Sequence, residues 1–312
     1  MERNLKATKA KQTAKDVLRF AGKDVSTMKK AILIFIVVMT AAIALATGAS
    51  AADKYAGSAS EIDATTADKG YVTVKYTGGG TKAIKVRIQK GEATYTYDLD
   101  VTGKAEVYPL QLGDGAYSVK VLRNTSGTSY AVLQKADFTI KLENQNAPFL
   151  LSHQIVNYTA DSNVTKKAAE LTADITDPLK KVDAVYKYIT ELLTYDKEKA
   201  ATVKSGYVPS VDKVLESKKG ICYDYSSVMA AMLRSQGIPT KLIMGYVAPT
   251  NVYHAWNEVY IEGKGWIETG KLYFDGEKWR LMDATFQSSG GSSKEVQKLI
   301  GDGTSYSTKY EY

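Results

Sequence analysis

Alternation of apolar and polar residues sets in at Tyr71 and runs to Leu142. The runs are YVTVKY (71–76), AIKVRIQK (83–90), TYTYDLDV (94–101), EVYPLQL (106–112), YSVKVLRN (117–124) and YAVLQKADFTIKL (130–142). In the second run Ile84, Val86 and Ile88 face one way while Lys85 and Arg87 face the other, the period-two signature of a strand covered on one side. Turn residues separate the runs: TGGGT (77–81), KGE (90–92), TGK (102–104), GDG (113–115) and SGT (126–128). Short strands at this spacing predict an all-β sandwich of immunoglobulin-like type over residues 71–147. The small, polar stretch 52–70 before it reads as a flexible segment.

The period changes after Pro148, where a second domain (148–312) is expected to begin. TDPLKKVDAVYKYITELLTYD (176–196) places Val182, Val185, Tyr186, Ile189, Leu192 and Leu193 on one helical stripe. Asp177 stands as its N-cap and Pro178 at its first position. SVDKVLESKKG (210–220) predicts a short helix closed by Gly220. CYDYSSVMAAMLRSQGIP (222–239) predicts about four helical turns with Tyr225, Val228, Met229 and Met232 on one face, stopped by Gly237 and Pro239. KLIMGYVA (241–248), YHAWNEVYIEG (253–263) and the segments through KWRLMDATF (278–286) then predict an antiparallel sheet. The second domain is α+β, helices first and sheet after.

A different apolar pattern precedes both domains. Lys29 and Lys30 lead an uncharged run, 31–46, followed by Ala49-Ser50-Ala51, a small-x-small site. This is a secretory signal pattern. It predicts a leader over residues 1–51, cleavage after Ala51, and a secreted or cell-surface product; the alternative is an N-terminal anchor formed by 31–47. The polar extension 1–27 before the signal suggests translation from Met28, with a cytoplasmic extension as the other reading. Six of the seven net positive charges lie in residues 1–51. The remainder is close to neutral, which points away from nucleic acid and from an anionic membrane surface. Membrane association is expected only if the signal is retained.

One cysteine, Cys222, and two histidines, His153 and His254, constrain the chemistry. A single cysteine forms no internal disulfide; it is either a small buried hydrophobe or a reactive group. Its position at the start of a helix, where free N–H groups and the helix dipole stabilise an anion, favours a nucleophile. The Cys222 N–H there also offers half of an oxyanion hole. A nucleophilic thiol needs a base. His153, near the domain boundary, reads as an ordinary hydrogen-bonded histidine. His254 begins a strand on which it shares a face with Trp256 and Glu258. Asp283, ending a later strand, stands as the group that orients the imidazole, provided the two strands are neighbours. Tyr207, Tyr195 and Gln154 are candidates for the second oxyanion donor, and Trp256 suits packing beneath the sheet. No metal-ligand spacing and no phosphate loop is present, and no cofactor is expected; TGGGT joins two strands and reads as a hairpin turn.

Three ordered segments, GICYDYSSVMAAMLRSQGIPTKLIMGY (220–246), HAWNEVY (254–260) and WRLMDATF (279–286), resemble the transglutaminase-like superfamily of papain-type cysteine enzymes. They are similar to its Gly-x-Cys helix ending in Leu-Arg-x-x-Gly-Ile-Pro, its His-x-Trp-x-Glu-Val strand and its Trp-x-x-x-Asp-x-Thr strand. LLTYD (192–196) resembles the end of its upstream helix. The resemblance covers residues 160–286. It implies a papain/transglutaminase-like catalytic domain behind the sandwich, with Cys222 as nucleophile, His254 as general base and Asp283 as orienting acid. Two departures stand out. Ala284 follows the aspartate where the family commonly has proline, and residues 263–278 insert an extra hairpin. That hairpin holds a second tryptophan, Trp266, with no aspartate at the family spacing, so Asp283 is preferred and Glu268 is a distant second choice. The implied activity is cysteine-dependent acyl transfer on amide bonds of proteins or peptides, by peptidase-like hydrolysis or by transamidation, with cell-wall or extracellular peptides as candidate substrates. The rival expectation is a non-catalytic extracellular binding or adaptor protein acting through the sandwich.

Overall fold

The computed structural model describes residues 53–248, 251–268, 273–274, 279–280 and 306–312. The leader 1–51, with its apolar run, and Asp283 lie outside the described residues. Residues 51–312 form one compact unit.

Two four-stranded antiparallel sheets build the first half. One runs in the order β1 (Lys54–Ala56), β2 (Ser60–Asp63), β3 (Tyr71–Tyr76), β6 (Glu106–Pro109); the other runs β5 (Ala93–Leu99), β4 (Ile84–Lys90), β7 (Gly115–Ser126), β8 (Ser129–Ile140). Their apolar faces meet in one core: Ile62, Val72, Val74 and Tyr108 from the first sheet, and Val86, Ile88, Tyr97, Val119, Val121 and Phe138 from the second. Period-two alternation forces this result, because every second side chain of each strand needs cover. Residues 53–70 depart from the expected flexible segment. They supply β1, β2 and a 3-10 turn at Ala67–Lys69, and they bury Ile62, Ala64 and Ala67 completely. Four residues of strand with one apolar side chain give too short a pattern to read locally; it is the β2–β3 ladder that fixes them.

Among the described residues five α-helices follow: α1 (Asn163–Thr172), α2 (Pro178–Leu192), α3 (Lys197–Thr202), α4 (Val211–Ser217) and α5 (Cys222–Ser235). Asp177 caps α2, its carboxylate accepting from the Leu179 N–H at 2.8 Å. Lys218, in the left-handed region at φ 54°, closes α4, rather than Gly220. The Asp212 carboxylate caps α1 through the Asn163 and Val164 N–H groups, both at 3.0 Å. α5 is the spine: every side chain from Asp224 to Arg234 is buried. Its Val228, Met232 and Leu233 are fully enclosed by the other helices and by Leu242, Val259 and Ile261 of the sheet. Each such burial contributes about 1.5–3 kcal/mol.

The sheet runs in the order β13 (Gly265–Glu268), β12 (Val252–Ile261), β11 (Thr240–Val247), β16 (Tyr306–Glu311), all antiparallel. β14 (Tyr273–Phe274) and β15 (Trp279–Arg280) pair separately. Thus β13, with its Trp266, pairs with β12 along Glu258–Ile261; residues 281–286, which hold Asp283, lie outside the described residues. Gly263 and Gly265, at φ 75° and 80°, let the chain reverse directly after β12. β16 docks on β11 where Gly245 leaves room: a Cβ there would lie 2.0 Å from the Ser307 carbonyl oxygen.

Buried Arg234, near the end of α5, gathers separate segments of the second half. Its guanidinium donates to the carbonyls of Thr240 (2.9 Å), Leu151 (2.7 Å) and Tyr312 (2.8 Å), and lies 3.1 Å from His153 Nε2. Burial draws Arg234 down only to about 10, so it remains a cation at neutral pH. Burial, and then this cation, hold His153 well below the ordinary histidine value, so its ring is neutral. Ile155 and Tyr312 pack against both cores.

The His153 environment sets a pH dependence. An unfolded His153 takes up a proton near pH 6.5 while the folded ring does not, so the unfolded state binds more protons below that pH. Stability is therefore full above 6.5 and falls as the pH drops toward 5, by at most about 1.4 kcal/mol per pH unit from this group. Urea unfolding between pH 7 and 5 should show this slope. In His153→Leu the protein should be less stable at pH 7 and the slope flatter.

Candidate active site at the start of helix α5

The site grows from a short parallel pair, β9 (Thr194–Tyr195) with β10 (Lys219–Gly220), in which Tyr195 stands opposite Gly220. β10 runs into Ile221, the extended residue before α5, and Cys222 is the first helical residue. Its thiol is free and partly exposed. Asp224, two residues on, is fully buried and folds back so that its Oδ2 accepts from the Ile221 N–H at 2.8 Å. This satisfies one of the orphan donors of the helix start. Lys199 Nζ, from α3, lies 2.7 Å from the same oxygen, and the Tyr207 hydroxyl donates to Oδ1 at 2.5 Å. Lys199 also donates to the Tyr207 oxygen at 2.6 Å. Lys199 is itself placed by Asp196, whose carboxylate caps α3 through the Lys199 N–H.

Gly220 has a packing reason. A Cβ at this position would stand 2.6 Å from the Asp224 Cβ, so the close return of the aspartate excludes any other residue. Gly220, Cys222 and Asp224 are one steric unit.

Asn257 fixes α5 against β12. Its Nδ2 donates to the Ser226 carbonyl of α5 and to the Lys241 carbonyl of β11, both at 3.0 Å. Ser226 lies one helical turn from Cys222, and Asn257 three residues from His254. Pleating then divides β12. Tyr253, Ala255, Asn257, Val259 and Ile261 belong to the face that meets the helices. His254, Trp256 and Glu258 share the opposite face, as the alternation predicts. His254 is buried, its ring roughly parallel to Trp256 at 6.4 Å between centroids, with Tyr306 of β16 against both. Glu258 pairs with Lys241 at 3.3 Å.

Two tyrosines feel the charge of the thiol. Burial, and then the charge of Cys222, push the Tyr195 phenol up. Burial raises Tyr253, with Tyr310, Tyr246 and Cys222 adding to the effect. Tyr253 immediately precedes His254 on β12. Among the described residues no hydrogen bond joins the Cys222 thiol to the His254 ring; such bonds are often long in ligand-free enzymes.

The other candidates separate clearly. Gln154 is held on β5 by two bonds to the Asp98 backbone, at 3.0 and 3.1 Å, away from the oxyanion role. Tyr207 is committed to Asp224. Tyr195 alone of the three stands by the thiol. Glu268 lies opposite Glu258. That is four residues, about 13 Å, along β12 from His254, too far for its backbone position to serve the imidazole. Asp224, Lys199, Asn257 and Tyr253 escaped the sequence reading. Only Asp224 left a local signal, an acidic residue three positions after the helix N-cap. Among the described residues no cluster of three or more His, Cys, Asp or Glu side chains fits a metal ion, and no helix is long and apolar enough to cross a membrane.

Comparison with known proteins places this architecture. Residues 165–270 match the transglutaminase-like superfamily. The match includes Cys222 and His254 and ends before Asp283. The chain is 27% identical over 236 residues to the uncharacterized protein YebA of Bacillus subtilis, covering 70% of this chain and 28% of that protein. It is 30% identical over 74 residues to a protein-glutamine gamma-glutamyltransferase of Pseudomonas aeruginosa, covering 20% of this chain and 11% of that protein. The chain thus spans less than a third of the length of either relative. The crystal structure of the periplasmic domain of TgpA from Pseudomonas aeruginosa aligns over 79% of this chain and 98% of that domain, at a TM-score of 0.34 and 15% identity. The chain carries a transglutaminase-like domain of mixed α/β fold over residues 165–270.

The steric unit at the helix start yields a test. Gly220→Ala should lose about 1–3 kcal/mol of stability, because the added methyl displaces the Asp224 cap from a packed turn. Thermal unfolding followed by circular dichroism checks this; an unchanged midpoint would mean that the turn yields freely.

Proposed function

We propose that the protein is an exported cysteine-dependent acyl-transfer enzyme acting on amide bonds of proteins or peptides. The observation that carries the reading is the placement of the only cysteine at the first residue of the buried helix α5, within the segment that matches the superfamily. In this reading Cys222 is the nucleophile, His254 the general base and Asp283 the residue that orients the imidazole. The signal pattern in residues 28–51 supports export. The sandwich serves as an immunoglobulin-like spacer or binding module ahead of a catalytic domain spanning 148–312.

The chemistry follows the usual acyl-transfer balance. Cys222 gives its proton to His254, and the thiolate adds to the amide carbonyl. The Cys222 N–H at the helix start faces the developing oxyanion. Collapse of the tetrahedral adduct breaks the C–N bond, and the imidazolium returns the proton to the departing amine or ammonia. A thioester to Cys222 remains. Water, or a second amine, then attacks it with His254 again as base and regenerates the thiol. Water is abundant and no dedicated amine acceptor is indicated, so hydrolysis is the favoured outcome, with cell-wall or extracellular peptides as the substrate class.

The rival reading is a non-catalytic adaptor acting through the sandwich. A panel of proteins and peptides, assayed for ammonia release, amine incorporation and bond cleavage, separates the two. Turnover that falls at least about a thousandfold in Cys222→Ala supports the enzyme. Equal turnover by the wild type and the variant would refute the proposed nucleophile.

A further inference from the structure

Asp224 poses an electrostatic problem for a thiolate at Cys222. It is a fully buried carboxylate two residues away on the same first helical turn, and like charges at this separation oppose each other in a poorly solvated site. The structure surrounds it. Oδ2 meets Lys199 Nζ at 2.7 Å and the Ile221 N–H at 2.8 Å, and Oδ1 meets the Tyr207 hydroxyl at 2.5 Å. Lys199 comes from α3, a separate element joined to β9, whose partner β10 leads into α5. No other basic side chain bonds Asp224 among the described residues.

We infer that Lys199, held by Asp196 and Tyr207, is a positioning residue for Cys222: it neutralises the Asp224 carboxylate so that Asp224 caps α5 without opposing a thiolate one turn-start away. This rests on the proposed role of Cys222 and adds the device that makes its helix start usable. Asp224 is fitted sterically by Gly220 and capped to Ile221, so it is fixed in place. The helix start therefore gains rigidity from an acid and has its favourable field restored by a lysine delivered from outside the helix. The other titratable groups that face the thiol are the phenols of Tyr195 on β9 and Tyr253 on β12. Tyr223 on α5 itself lies beside Tyr207, and His254 occupies the opposite face of β12. The imidazolium of His254 is the proposed partner of the thiolate itself; among the described residues Lys199 is the cation paired with Asp224.

Alkylation of Cys222 in the purified protein by iodoacetamide, measured from about pH 5 to 9, tests this without any substrate. Lys199→Met should slow alkylation at about pH 6 roughly tenfold and leave the rate at about pH 9 nearly unchanged. Lys199→Arg should restore the wild-type profile. Lys199→Met combined with Asp224→Asn, in which both charges are gone, should return to within about twofold of the wild type. Tyr207→Phe, which keeps both charges and loses one donor, should slow the reaction in the same direction by a smaller factor; it serves if Lys199→Met fails to fold by circular dichroism. A Lys199→Met or Tyr207→Phe profile that overlays the wild type overturns the inference. So does a double variant as slow as Lys199→Met, which would make the role structural. These outcomes are ratios between variants. A wild-type thiol that reacts slowly and independently of His254 would instead defeat the proposed nucleophile, and the two failures are distinguishable.

Discussion

A buried carboxylate at the third residue of α5 organises this domain. Asp224 has to be paired, because an unpaired charge at zero exposure would cost several kcal/mol. Its three partners come from three places in the chain: the Ile221 backbone, Lys199 and Tyr207. Satisfying it therefore draws α3 and the loop that follows it onto the start of α5. It also leaves no room for a side chain at Gly220. The first turn of α5, where Cys222 sits, is consequently one of the most constrained pieces of backbone in the protein. A nucleophile benefits from that constraint, since misplacement by an ångström is costly in catalysis.

The far end of α5 is fixed by the opposite charge. Arg234 is a buried cation whose partners are main-chain carbonyls from Leu151, Thr240 and Tyr312, so one side chain holds the linker, the first sheet strand and the residue after β16 together. Between the two charged ends, Asn257 bonds the helix to β12. An apolar helix would be stabilised by burial alone but could slide or rotate on a smooth sheet. These three polar anchors specify its register, and with it the position of Cys222 relative to the start of β12.

The strands from Tyr71 to Ile140, the capped helix at Asp177–Leu192 and the helix begun by Cys222 were legible because each is long enough for its period to show. β2 was not, since Ser60–Asp63 holds a single buried apolar side chain and gains its strand character from pairing with β3. Gly220 was assigned to helix closure, yet the closing conformation falls on Lys218 and Gly220 answers to a steric demand of Asp224. Such a demand has no local sequence pattern. Asn257 likewise acts on a carbonyl 31 residues away. Of the site, the placement of Cys222 at a helix start and the shared face of His254 with Trp256 were both readable from periodicity. The lysine and tyrosine that balance Asp224 were not, because their meaning comes only from the fold. The hairpin that continues the sheet through Trp266 was legible from its glycines, and the turn at 263–265 pairs β13 with Glu258–Ile261.

The most direct test of a nucleophilic Cys222 is its alkylation rate as a function of pH in the wild type and in His254→Ala. Reaction that stays fast down to mildly acid pH in the wild type, and slows sharply there in the variant, is the result this account predicts; it would show that the imidazole sustains the thiolate. A slow reaction with the same pH profile in both proteins would contradict the account and leave Cys222 as a structural thiol.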